Sequence, residues 1–306
     1  MADTAVGEEQ GSGSARRLAH LQLIATAVLF STGGAAIKAT ALTGWQVASL
    51  RSGFAALTLL LLLPAARRGI TWRSSMVGVA FGATMVLFVV SNKLTTAANT
   101  VFLQSTYPLY VLLLSPLLLR EPIRRRDVVF MAVVALGFAL FFVGVDAPMA
   151  TAPDPLRGNI LAATSGVTFA LTIMGLRWMS AREGKDSRGG TAAGAILMGN
   201  VFACLVTLPA ALPIAGSAAD WTVVGYLGVF QIAVAYIFLI TAARHLSAVE
   251  IAIVLMIEPV LNPVWAWAWH GERPGAWPLV GGAIIVLATV TKTLIGARAV
   301  PEPVRS

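Results

Sequence analysis

The chain has 306 residues, 57% of them hydrophobic and only 12% charged, with 22 Lys and Arg against 14 Asp and Glu. Soluble domains carry about 25% charged residues, so this balance excludes a disordered chain, a secreted disulfide scaffold and a soluble enzyme. The one cysteine, Cys204, can close no intrachain disulfide. A net charge of +8 would suggest a nucleic-acid partner in a soluble protein, but its distribution along the chain points to membrane topology instead.

Ten apolar stretches recur, each long enough to cross about 30 Å of hydrocarbon at 1.5 Å per residue. The pattern predicts an all-α integral membrane protein with helices over 18–37, 46–64, 74–91, 96–119, 127–145, 157–179, 191–212, 221–241, 247–269 and 276–296. Ser31-Thr32-Gly33-Gly34 interrupts the first of them. Residues 1–17 read as a polar tail with no resemblance to a cleavable signal, and 297–306 as a second tail. A connector over 146–156 is stiffened by Pro148, Pro153 and Pro155, and a charged, glycine-containing loop covers 182–190.

If the N-terminus lies in the cytoplasm, that side collects 17 of the 22 basic residues, among them Arg16, Arg17, Arg67, Arg68, Arg124, Arg125 and Arg126. The outer side has Lys38, Lys93, Arg157 and Arg273, and Arg51 lies within a helix. The positive-inside rule therefore predicts that both termini are cytoplasmic.

The two halves repeat at an offset of 151 residues. Leu94-Thr95-Thr96-Ala97-Ala98 aligns with His245-Leu246-Ser247-Ala248-Val249, Pro108 with Pro259, and Glu121 with Glu272. With small slips, Pro64 faces Pro213, Trp72 faces Trp221 and Lys38 faces Arg177. Five helices per repeat (18–145 and 157–296) is an odd number, so the second repeat enters the membrane from the opposite side. Inverted repeats of this kind accompany alternating access, with the site near the midplane between them.

A small-residue pair opening the fourth helix of each half, a proline in its middle and an acid at its end resemble the EamA domain. Two such domains in tandem resemble the drug/metabolite transporter superfamily. The resemblance implies a ten-helix exporter or exchanger of small metabolites, with a central cavity lined mainly by helices 1, 3, 4, 6, 8 and 9. It leaves the solute open.

An ionised side chain at a helix centre is costly and needs a partner or a watery cavity. Glu258 sits mid-way along the ninth predicted helix, and Asn262 and Trp265 follow it on one face. That carboxylate is the candidate for binding a cationic group or exchanging a proton. Helix 4 presents Thr96, Thr100, Gln104 and Tyr107 in a stripe with Asn99 beside it, and the repeat offset maps Tyr107 onto Glu258. Weaker candidates are Thr168 on helix 6 and Gln231 and Tyr236 on helix 8.

Arg51 is expected to pair structurally, because the resemblance keeps helix 2 off the cavity. Lys38, at a helix end, is expected to snorkel to the interface. Pro108 and Pro259 each remove a backbone donor near mid-membrane and predict hinges. No metal or cofactor is expected: His20, His245 and His270 are dispersed, and no phosphate-cradling GxxxxGK[ST] occurs.

The expectation is a secondary-active carrier, not an enzyme, that exports an amino-acid-like or other amphipathic solute, with protons as a candidate coupling ion. An alanine- and arginine-rich composition points to a bacterial cytoplasmic membrane. An intramembrane enzyme acting on a lipid-linked substrate, or a channel or structural subunit, are the competing readings.

Overall fold

A computed structural model describes residues 2–118, 122–143, 147–181 and 188–298, and the described residues are helical apart from short joints and one isolated bridge between Met149 and Ala152. Ten spans are long and apolar enough to cross a membrane: α1 Ala15–Lys38, α2 Gly44–Leu62, α3 Trp72–Leu94, α4 Ala97–Leu118, α5 Arg125–Val143, α6 Pro155–Ser180, α7 Gly190–Ala211, α8 Ala218–Ala242, α9 Ala248–His270 and α10 Ala276–Ile295. The helix holding α1 reaches back to Ala2. Predicted ends at 119 and 145, most of the loop over 182–190 and the tail from 299 lie outside the described residues.

Local chemistry sets the starts of the spans. Thr43 and Gln46 form a capping box, so α2 begins two residues earlier than its hydrophobic run suggests. Asp154 caps α6 through the Arg157 amide, with Pro155 in the first turn. Capping boxes also open α3 at Thr71, α8 at Ser217 and α9 at Ser247.

Ten crossings return both chain ends to one side of the bundle (the terminal face), opposite the far face. α3 packs on α6 and α7, α2 on α7, α1 on α8 and α9, and α5 on α10. Gly82 and Gly199 allow one of the close approaches: a Cβ on Gly82 would lie 2.5 Å from the Gly199 carbonyl oxygen. Without a strong hydrophobic drive between helices in lipid, such backbone proximity supplies the packing.

Four spans are interrupted near mid-depth. α1 turns at Thr32, α4 at Ser105–Thr106 and α9 at Met256, and α8 carries a π-helical stretch over Leu227–Val234. At the α4 and α9 joints the chain tightens to i→i−3 bonds, Thr106 N–H to Leu103 O and Met256 N–H to Ile253 O, both 3.2 Å. Each joint falls two or three residues before Pro108 or Pro259, where the proline withholds its donor. Polar backbone is tolerated at this depth only inside protein or beside a cavity.

Candidate functional site

Inside the bundle lies a cavity of about 380 Å³. Its wall uses α4 from Val101 to Tyr107, α9 from Ile251 to Pro259, α8 from Gln231 to Ala243 and the Ala192–Ile196 stretch of α7. The α7, α8 and α9 segments run from mid-depth toward the terminal face, and the α4 segment from the far side to mid-depth. The wall is mostly apolar and aromatic. Tyr236 stacks edge-on to Phe81 at 5.4 Å and tilts on Phe30 at 5.1 Å, and Tyr107 meets Phe169 at 4.9 Å.

Two charged groups face this cavity, Arg51 from α2 and Glu258 from α9. Arg51 is 2% exposed, and its Nε and Nη1 have no hydrogen-bond partner; Nη2 approaches only the Met85 sulfur, at 3.9 Å. α8 presses against α2 at this level, and a Cβ on Gly228 would lie 2.6 Å from the Arg51 carbonyl oxygen. That contact fixes the backbone from which the guanidinium projects. Glu258 follows the α9 joint directly. Neither it nor Arg51 has an ion pair within 4.0 Å among the described residues. A basic and an acidic side chain thus face one cavity without a direct ion pair. Gln104, Gln231, Tyr107 and Tyr236 supply further polar atoms.

The sequence reading expected a structural partner for Arg51; its side chain lines the cavity, with no ion pair within 4.0 Å among the described residues. The cavity also takes wall from α2 and α7, beyond the six helices the resemblance implied. The reason is packing: α7 lies against both α2 and α3.

Other predicted residues lie elsewhere. Asn262 is fully buried against α1, where a Cβ on Gly34 would stand 2.6 Å from its Oδ1. Trp265 donates to Ser31 Oγ at 2.9 Å and tilts on Trp269. Asn99 donates to Asn159 Oδ1 at 3.1 Å, Thr100 is buried, and Thr168 accepts from the Thr84 hydroxyl at 2.8 Å. None of these five lines the cavity.

Lys38 does not snorkel. Its side chain is 2% exposed and its Nζ lies 3.3 Å from Glu272 Oε1, itself 1% exposed. Lys38 also donates to the Thr95 oxygen at 2.8 Å and to the Thr151 oxygen, and Glu272 Oε2 accepts from the Ala97 amide at 3.2 Å. His270 reaches the Ala35 oxygen at 2.8 Å, and Thr95 donates to Asn159 at 2.8 Å. This network ties the far ends of α1, α4, α6 and α9 and closes the bundle on that side. The equivalent link across the halves at the terminal face, Arg16 to Glu250 at 2.7 Å, is solvent-exposed at 62% and 30%, where ion pairs contribute about 0–1 kcal/mol.

Comparison with known proteins places this ten-helix bundle and its internal cavity in a family. The model of the EamA-like transporter family matches residues 17–143 and 156–293, one copy in each half. The chain belongs to the EamA-like transporter family. Two curated relatives, both named pseudopaline exporter CntI and both from Pseudomonas aeruginosa, are 26% and 28% identical over 200 and 203 residues. Each match spans 63% of this chain and 64% of the relative's own length. A solved crystal structure shares the fold at 18% identity with a TM-score of 0.61, covering 93% of this chain and all of that one. This EamA-like chain is therefore a multi-pass membrane transporter with the ten-helix, two-repeat architecture of the drug/metabolite transporter superfamily.

Proposed function

We propose that this transporter exports a small zwitterionic, amino-acid-like metabolite across a bacterial cytoplasmic membrane by alternating access, with both termini in the cytoplasm. The observation that carries the reading is that Arg51 and Glu258 face one mainly apolar cavity without a direct ion pair. A guanidinium offers a planar fork suited to a carboxylate, and Glu258 suits an ammonium group. The volume of about 380 Å³ falls in the range of small-molecule sites, and the aromatic rings cover an apolar side chain.

The excess of basic residues on the terminal side supports placing that face in the cytoplasm, which makes the cavity cytoplasm-facing and the far-face network the closed outer end. The naming of the relatives as exporters supports the outward direction. Solute amine and proton compete for Glu258, which makes this carboxylate the coupling group for proton exchange.

Counterflow in proteoliposomes tests the proposal with a panel of small amphipathic amino acids, their methyl esters and their des-amino acids. Saturable counterflow is expected for the amino acids alone. Arg51→Gln is expected to erase discrimination against the esters, and Glu258→Gln discrimination against the des-amino acids. Equal transport of all three series by the unaltered protein sinks the zwitterion site. Intact gradient-driven transport by Glu258→Gln sinks the coupling role.

A further inference from the structure

A second cavity, of about 520 Å³, lies outside the transport pathway, on the membrane-facing side of α5 and α10. Its origin is geometric. A Cβ on Gly281 would stand 2.5 Å from the Gly137 carbonyl oxygen, so the two helices touch backbone to backbone at that level. From this crossing they diverge toward the terminal face, and the wedge between them is the cavity. Val129, Val133, Ile284 and Leu287 line its apolar length. Its mouth, where α5 begins, holds Arg126, Asp127 and Lys292.

The mouth is arranged to receive an anion. Asp127 uses one oxygen to accept from the Arg124 amide at 3.1 Å and the other to accept from Lys292 Nζ at 2.9 Å. Its charge is thereby committed to the helix start and to holding Lys292 in place. Lys292 Nζ lies 4.4 Å from the centre of the Phe130 ring, one turn in from the mouth, and remains one-third exposed. Arg126 is exposed beside it, and Arg124 and Arg125 precede it in the chain. Basic pockets between spans at the membrane boundary suit anionic lipid head groups, with about 1 kcal/mol per Lys or Arg near the surface.

We infer that the α5–α10 wedge is a seat for one anionic phospholipid, its phosphate held by Arg126 and Lys292 and an acyl chain filling the groove down to the Gly137–Gly281 crossing. A wedge facing hydrocarbon is filled by lipid, and the basic mouth selects which one. The site belongs to the terminal-side leaflet and is separate from the solute cavity.

Native mass spectrometry of the detergent-solubilised full chain, titrated with phosphatidylglycerol or phosphatidylcholine, tests the assignment. One tightly retained phosphatidylglycerol is expected, with phosphatidylcholine weaker. Arg126→Gln combined with Lys292→Gln is expected to weaken phosphatidylglycerol retention by roughly thirtyfold. Arg126→Gln alone, at an exposed rim position, is expected to weaken it by several-fold and guards against misfolding of the pair. Leu287→Trp keeps both charges but fills the groove, and is expected to lower retention as well. Equal retention of the two lipids, or unchanged phosphatidylglycerol binding in the charge variants or in Leu287→Trp, overturns the seat. Efficient disulfide cross-linking of two copies through Leu287→Cys in a Cys204→Ser background would show a second chain in the groove and overturn it too.

Discussion

At the far end of the bundle, Lys38 and Glu272 form an ion pair and bind three backbone groups, at the Thr95 and Thr151 oxygens and the Ala97 amide. At mid-depth, Arg51 and Glu258 face one cavity with no direct ion pair, and Arg51 Nε and Nη1 have no hydrogen-bond partner. The side-chain types are nearly the same, one base and one acid from opposite halves. Separation distinguishes the two: 3.3 Å makes an ion pair between the repeats, whereas more than 4.0 Å leaves two side chains that the proposed solute would bridge. Burying charge is tolerable where partners are complete, and functional where they are missing.

That contrast can be broken from the closed side first. Lys38→Met leaves Glu272 buried without its counter-charge and is expected to cost about 3–5 kcal/mol, read as lowered thermal stability in detergent. Adding Glu272→Leu should restore much of the loss. A single variant as stable as the double would show that the far-face pair holds nothing.

At the proposed solute site, Arg51→Gln would remove a charged partner and is expected to cost about 2 kcal/mol or more in binding, with counterflow falling at least roughly thirtyfold. Stability should fall little, because the guanidinium has no direct ion pair to lose and touches only the Met85 sulfur, at 3.9 Å. A strong destabilisation with transport retained would turn Arg51 into a structural residue.

Between these two regions, α3 and α7 meet through glycines. Gly82→Leu is expected to cost about 1–3 kcal/mol by overpacking, visible as an earlier thermal transition. The smallest effect is expected for Ser31→Ala, which takes the acceptor from Trp265 Nε1 and should cost about 1 kcal/mol. Transport by that variant should stay near the unaltered level, since neither residue lines the cavity. A collapse of counterflow there would extend the site toward the far face.

Helix period in the sequence reports direction but not depth, and this divides the predicted residues. Thr100, Gln104 and Tyr107 share a stripe on α4, yet only Gln104 and Tyr107 reach the cavity. Thr100 lies closer to the far face, where closure buries it. On α9 the same cut separates Glu258 from Asn262 and Trp265, which pack on α1 at Gly34 and Ser31. The ten spans and the joints near Pro108 and Pro259 were legible because length, hydropathy and a missing donor are local properties. Arg51 was not, because its place on the wall depends on α8 closing over α2 at Gly228, a contact no single helix encodes.

The far-face lock also bears on how the chain is made. Lys38 ends the first span, but Glu272 follows the ninth, so during synthesis the lysine waits for its partner through most of membrane insertion. An early span that ends in a lone ammonium group rests at the aqueous boundary until the last loop arrives and draws it inward. The far-face lock therefore cannot close before residue 272 is made, and a nascent chain stalled earlier leaves the ribosome unable to shut that end.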